Sequence, residues 1–278
     1  MSAPVLRDVS GPGALGGSWR RTLDLLYLIA VTEFKRTYFG TVLGYLWTLA
    51  RPLMLFGVML AVFTQAFELG GDIEHYPVLL LLNIVLFGVF SESTTTAVTS
   101  VAAKEGIVRK TQFPRLVIPL AVVLTALFNL GLNLIVVFVF IFAFGVDPQW
   151  TWLLLPVIVL LLTVYATAVS MIVSALYPRY RDVAIIWSVT ATALFYATPV
   201  LYPLEAVSGK LREFVSLNPL SPIFELAHRW IIDADAPGLV ELTGGATRLL
   251  VPIGIYVATC VFAVWTFNRE APRIAEAL

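Results

Sequence analysis

Lys104-Glu105-Gly106-Ile107-Val108-Arg109-Lys110-Thr111-Gln112-Phe113-Pro114-Arg115 carries four cations and one anion in twelve residues. It separates two long apolar runs, 76–101 and 116–144. Each run exceeds the ~20 residues that cross ~30 Å of hydrocarbon as a helix. The charged stretch between them cannot stay in lipid, because ionised side chains are expensive there. It reads as a compact connector closing on Pro114, with Pro119 just beyond. Two purposes are open for it: a segment that another protein grips, or a positive loop that only fixes topology.

Composition agrees with a membrane protein. Apolar residues make up 59% of the chain and charged residues 13%, against roughly 25% charged in soluble domains. The one cysteine, Cys260, sits in an apolar run and can form no intrachain disulfide. The expected fold is all-α and polytopic, because backbone groups in lipid must be satisfied within the segment. Alternating ten-residue strands of the kind a barrel needs are absent from the pattern.

Residues 1–21 read as a flexible cytoplasmic tail, rich in Gly, Pro, Ala and Ser up to residue 18. No apolar core follows its first charges closely enough for a cleaved signal. Over 22–38 the period changes. Leu23, Leu26, Tyr27, Ala30, Val31, Phe34 and Tyr38 recur at helical steps, with Asp24, Thr32, Lys35 and Arg36 opposite. A helix lying in the membrane interface fits this better than a crossing, which would bury Asp24, Glu33 and Lys35. A frayed start to the first span is the other reading.

Six spans are expected, near 42–67, 76–101, 116–144, 152–176, 183–201 and 249–267, followed by a cytoplasmic C-terminus, 269–278. Within the first, Arg51 can snorkel to the inner interface and Pro52 bends the helix. Fourteen of the 18 Lys and Arg residues fall on the side of the tail and of the 104–115 connector. That side is therefore cytoplasmic, with both termini inside. The long outside connection, 202–248, is expected to hold one or two short half-helices. Ser221-Pro222 is a helix start, and Ile223, Leu226, Ala227, Trp230 and Ile231 mark an apolar face. These half-helices either dip into the outer leaflet or cap the bundle.

The spans carry ordered polar residues. In the second, Ser91, Thr95 and Thr99 form one row, and Glu92, Thr96 and Ser100 the row beside it. Thr125, Asn129 and Asn133 repeat the spacing in the third span. Thr163, Thr167, Ser170 and Ser174 do so in the fourth, and Ser188, Thr192 and Tyr196 in the fifth. Such groups join neighbouring helices by hydrogen bonds or line a wet passage for a polar cargo. Glu92 favours the passage, since a carboxylate in a span costs ~2.5–3.5 kcal/mol unless it meets a partner or a cavity.

No chemistry of its own is evident in the chain. It has no P-loop and no Gly-x-Ser-x-Gly elbow. With two histidines and one cysteine it has no sequential metal-ligand cluster. The outside acids Glu205, Glu213, Glu225, Asp233, Asp235 and Glu241 are scattered and read as solvated. No catalytic residue, no metal and no cofactor is expected in this chain.

The order of parts resembles the membrane subunits of ABC exporters for polysaccharides and polyol phosphates, such as the O-antigen, galactan and teichoic acid exporters. Phe34-Lys35-Arg36-Thr37-Tyr38-Phe39-Gly40-Thr41-Val42-Leu43-Gly44-Tyr45-Leu46-Trp47 looks like the surface helix running into the first span. Gly106 to Arg115 with Ile118-Pro119-Leu120 looks like the cytoplasmic connector. Tyr180-Arg181-Asp182-Val183 resembles the entry to the fifth span. Leu217-Asn218-Pro219-Leu220-Ser221-Pro222 resembles the turn between the outer half-helices. The likeness runs over about 22–268, the expected transmembrane domain.

The resemblance implies a homodimer with a passage along its axis, docked on a separate ABC ATPase that holds the ATP and Mg. Lys104, Glu105, Gly106, Arg109, Lys110, Phe113 and Pro114, with Lys35 and Arg36 of the surface helix, would couple to that ATPase. A smaller part would fall to 177–182. Glu92, Ser91, Thr95, Thr99, Asn129, Asn133, Tyr196 and Trp187 would line the passage for a lipid-linked glycan. Tyr45, Trp47 and Tyr202 could add stacking faces, or belong with Trp187 and Tyr196 to an interfacial belt. Lys35, Arg36 and Arg51 would meet the lipid pyrophosphate. The setting would be a bacterial inner membrane, and no nucleic-acid partner is expected. Two alternatives remain: an ABC exporter of a small amphipathic drug or lipid, and a non-transport membrane glycan enzyme or scaffold.

Overall fold

A computed structural model describes residues 19–38, 44, 46–65, 73, 75–106 and 115–277. The expected tail over 1–18 lies outside the described residues, as do Arg109, Lys110, Phe113 and Pro114 of the connector and Tyr45. The helices in chain order are α1 (Trp19–Tyr38), α2 (Leu46–Gln65), α3 (Tyr76–Ala103), α4 (Val117–Ala143), α5 (Leu155–Leu176), α6 (Val183–Ala197), α7 (Gly209–Ser216), α8 (Ser221–Ala227), α9 (Leu239–Thr243) and α10 (Ala246–Ala277). No strand occurs among the described residues. The chain is a polytopic all-α membrane protein. Five helices are long and apolar enough to cross: α2, α3, α4, α5 with its single-turn lead-in from Trp150, and α10 up to Glu270.

The centre of the bundle is α3. It packs against α4 and α5, with α2 and α6 flanking. Its first half is apolar on every side apart from Asn83, which suits a helix surrounded by others. Every residue from Val78 to Phe87 is buried. Large rings set the spacing of the neighbours. Phe87 meets Phe195 of α6 and Phe224 of α8, and Phe90 meets Tyr165 of α5 and Trp187 of α6.

The fifth expected span, 183–201, is shorter than the sequence suggested. Its helix, α6, ends at Ala197 after 15 residues, about 22 Å at 1.5 Å per residue. The cause is Pro199. A residue preceding proline is pushed out of the helical region, and Thr198 is extended at φ −104°, ψ 146°. The backbone groups freed there still need partners. Asn218 Nδ2 donates to Ala197 O at 3.1 Å and to Thr198 Oγ1 at 2.8 Å. Asn83 Nδ2 donates to Pro199 O at 3.1 Å, and the Tyr76 hydroxyl to Leu201 O at 2.7 Å. The unwound stretch is thus held against α3 by side chains from three places in the chain.

The half-helices of the outside connection form as expected, and they pack into the bundle. α8 starts at Ser221 with Pro222 in its first turn. Ile223, Phe224, Ala227 and Ile231 join the core that α3 and α5 build. A π turn over His228–Ile232 follows. It presents two carbonyls sideways, which Thr151 Oγ1 and Trp152 Nε1 take up. α10 begins three residues before the expected sixth span and runs on as helix to Ala277, within the expected C-terminal segment.

The surface helix α1 also begins earlier than expected, at Trp19, and docks on α4. Ala30 is fully buried, the Phe34 ring meets Phe128 edge-on at 5.7 Å, and Thr125 Oγ1 donates to Ala30 O at 3.3 Å. Leu23 and Tyr27 of the expected apolar face stay exposed. The strip that touches protein is therefore narrower than the apolar stripe. The remainder suits contact with lipid at the interface.

Candidate substrate passage and coupling site

The second half of α3 changes character. Gly88, Glu92, Thr95, Thr96, Thr99 and Ala103 are exposed, while Ser93, Thr94, Ala97, Val98, Ser100 and Val101 are buried. The exposed set is spaced by three and four residues, so it forms one line along the helix. The most enclosed helix of the bundle shows its surface along a line of small and polar residues. The two rows read in the sequence are thus partly corrected. Ser100 turns inward and bonds its own helix at Ala97 O, and Ser91 is half-buried.

Glu92 is fixed by its neighbours. Asn129 of α4, buried, donates Nδ2 to Glu92 Oε1 at 2.6 Å. Asn133 Nδ2 donates in turn to Asn129 O at 2.9 Å. Arg51 of α2 is exposed and makes no ion pair with the carboxylate within 4 Å. The structure therefore brings Glu92, Asn129 and Asn133 together, with Thr95, Thr96 and Thr99 continuing the line.

Two expected passage residues sit elsewhere. Trp187, half-buried, packs on Phe90, which lies two residues and so about 200° around α3 from Glu92. Trp187, Ala191 and Phe195 form the inward face of α6, and Tyr196 is exposed on the other side. Neither ring belongs to the α3 line within one protomer. The polar rows of α5 and α6 are largely back-bonded: Thr163, Ser174, Ser188 and Thr192 each donate to their own helix. That is how such side chains quiet themselves in helices.

Of the residues expected to couple to an ATPase, Lys104, Glu105, Gly106, Lys35 and Arg36 are described. Lys104 Nζ donates to Glu33 Oε1 at 2.7 Å, with side-chain exposures of 19% and 38%. This charge-assisted bond ties the end of α3, where the connector starts, to α1. Lys35 and Arg36, two and three residues further along α1, are exposed. Sequence reading used Glu33 only as an argument against a crossing. Its partner is 71 positions away and invisible to local spacing.

Glu225, read as a solvated acid, is buried. Its Oε1 accepts from the Leu204 amide at 2.8 Å, and its Oε2 lies 4.0 Å from His228 Nδ1. It stands outside the spanning helices. Burial pushes its carboxyl up to about 7, with the Leu204 amide opposing, Glu205 adding and Arg212 subtracting. Burial pushes His228 down, with Asp233 opposing. A clue was available in the Glu225–His228 spacing within an apolar helix face.

A pH dependence follows. An acid with a raised folded pKa favours folding while protonated, and it loses that advantage as pH rises from 4.5 through about 7. His228 acts oppositely, costing stability as pH falls below its unfolded value. Glu225→Gln is expected to remove the decline on the rising-pH side, on the order of 3 kcal/mol, and to leave the loss at low pH. Thermal unfolding of the purified protein across this range checks it.

The model of the family described as ABC-2 type transporter matches residues 24–229. The chain belongs to this family. Its relatives include two proteins of Klebsiella pneumoniae, each named O-antigen export system permease protein RfbA. They are 28% and 31% identical to it over 260 residues, covering 92% of this chain and 95% of each relative. A Myxococcus xanthus protein of the same name is 31% identical over 198 residues, 70% of this chain and 75% of that one. This ABC-2 chain is accordingly a transporter permease, a multi-pass protein of the bacterial inner membrane. Its family implies an ABC ATPase as partner. The matched residues take in most of α1, the α3 line, the connector and α8, and end before α9 and α10.

Proposed function

We propose that this chain is the membrane permease of an ATP-driven exporter of lipid-linked O-antigen polysaccharide, acting as a homodimer on a separate ABC ATPase. The exposed polar line of α3 carries the reading. Left against lipid, it would set Glu92 at a cost of a few kcal/mol. Two copies with these lines turned to a common axis make a passage lined twice by Glu92, Thr95, Thr96 and Thr99. Hydroxyls and a carboxylate suit a sugar chain, which offers many donors and acceptors. The relatives' names support the same cargo.

With the connector and both termini cytoplasmic, as the cation count suggests, Lys104 and α1 face the ATPase. Glu33–Lys104 passes its motion to α3. Lys35, Arg36 and Arg51, all exposed, remain candidates for the lipid pyrophosphate at the inner interface. Tyr196 stands at the outer end of α6 and Trp187 nearer its cytoplasmic start, and both contribute across the axis.

Depletion of the chain in its own cells is the test. The reading expects surface polysaccharide to disappear and lipid-linked polymer to build up inside, with an ABC ATPase co-purifying with the tagged chain. Unchanged surface polymer after depletion would refute it.

A further inference from the structure

α10 packs on α5 through Ala263 and Phe267, which meet Ala168, Met171 and Ala175. A different side of the same helix carries Phe262, Trp265 and Arg269, spaced by three and four residues and so in one row. The two rings are about half exposed, at 49% and 52%, and stack with centroids 5.7 Å apart. Arg269 Cζ lies over the Trp265 ring at 5.2 Å. Trp265 is one turn back toward the apolar part of the span. The guanidinium is thus folded back to the depth of the ring instead of reaching into water. Tryptophan at the end of a span sits at headgroup level. Stacking occupies the face of a guanidinium and leaves the N–H donors around its edge. Among the described residues, no acid and no carbonyl takes up those of Arg269.

The turn after α5 stands beside this helix end, since Arg179 Nη1 lies 3.9 Å from Glu270 Oε2. The turn repeats the device. Arg179 lies over Tyr180 at 5.2 Å and Arg181 over Tyr177 at 5.0 Å. Three guanidinium groups against two acids, Glu270 and Asp182, leave the patch positive. The cation count puts it on the cytoplasmic side.

We propose that Arg269, held at headgroup depth by Trp265, binds the phosphate of an anionic phospholipid in the cytoplasmic leaflet, with an acyl chain along Phe262 and Trp265. Arg179 and Arg181 add the positive potential that favours a net-negative headgroup over a zwitterionic one. A soluble partner such as the ATPase fits this row less well, because both rings belong to the apolar span. The inference needs the membrane setting and the orientation, and it is independent of the cargo.

The test uses the full chain in mild detergent, with the subunits that co-purify. It is titrated with phosphatidylglycerol and with phosphatidylcholine of the same chain length, and native mass spectrometry counts the lipids retained. The wild type is expected to bind phosphatidylglycerol at least about fivefold more tightly, as one well-placed cation near the headgroups gives. Arg269→Ala is expected to bring the ratio to within about twofold of unity. Trp265→Leu keeps the charge but frees the side chain, and it is expected to lower the ratio by about half. Arg248→Ala, an exposed cation of the outer side, should leave the ratio unchanged. Equal binding of the two lipids by the wild type overturns the proposal, as does a ratio untouched by Arg269→Ala or lowered as much by Arg248→Ala. If Arg269→Ala instead releases the ATPase or a second copy while the lipid preference stands, a protein covers this row and the proposal is equally overturned.

Discussion

Lys104→Glu is expected to reduce export at least about tenfold while ATP hydrolysis by the complex continues, and Glu33→Lys in the same chain should recover most of the loss. The Glu33–Lys104 bond, 2.7 Å and half-enclosed, joins the end of α3 to α1. Hydrogen bonds between charged groups contribute roughly 1.5–3 kcal/mol. Replacing Lys104 by an acid removes that and sets two carboxylates face to face. Each 1.36 kcal/mol in a coupled equilibrium is a factor of ten. The swap separates a positional role from a general need for charge, because only the restored pair ties α1 to α3 again. Export and ATPase rates measured on the four proteins decide it. If the swap fails while the single variants fold and assemble, the bond is not what links the two elements.

Thr95→Trp with Thr99→Trp is expected to stop export outright, and Val264→Trp to leave it within about threefold of normal, since an isolated surface change rarely matters. Thr95 and Thr99 are neighbours on the exposed line of α3, whereas Val264 is exposed on α10 at the edge of the bundle. In the proposed two-copy passage, two indole rings on each copy would fill the space between facing lines. ATP hydrolysis should persist in the blocked protein, because the variants leave Lys104 and α1 untouched. Surface polymer and hydrolysis, assayed together, give the result.

Much of the fold was legible in the sequence because its causes are local. Run lengths placed α2, α3, α4, α5 and α10, and the change of period at residue 22 separated α1 from the spans. Ser221-Pro222 announced α8. The early end of α6 was written in Pro199 but was outweighed by the apolar residues on either side of it. What could not be read were the pairings across distance. Asn83 and Tyr76 hold carbonyls more than a hundred positions away. Glu225 looks like any loop acid until the Leu204 amide is seen beside it.

The site divides the same way. Spacing alone put Glu92, Thr95 and Thr99 on one helix face, which the structure leaves exposed, and the bond from Asn129 joins polar rows of two helices into one cluster. Spacing also over-counted. Serines and threonines at helical intervals look alike whether they face a passage or bond their own backbone. Ser100, Thr163, Ser174 and Ser188 take the second course. Trp187 was counted for the passage by residue type, and its packing on Phe90 turns it to another side of α3.

Thiol labelling at position 95 tests the central claim most directly. In a chain with Cys260→Ala, a cysteine in place of Thr95 is expected to react from the cytoplasmic side with a charged, membrane-impermeant maleimide, and one in place of Val264 is not. A Thr95→Cys protein that resists the charged reagent yet reacts readily with a lipid-soluble one would put the polar line against hydrocarbon and contradict the account.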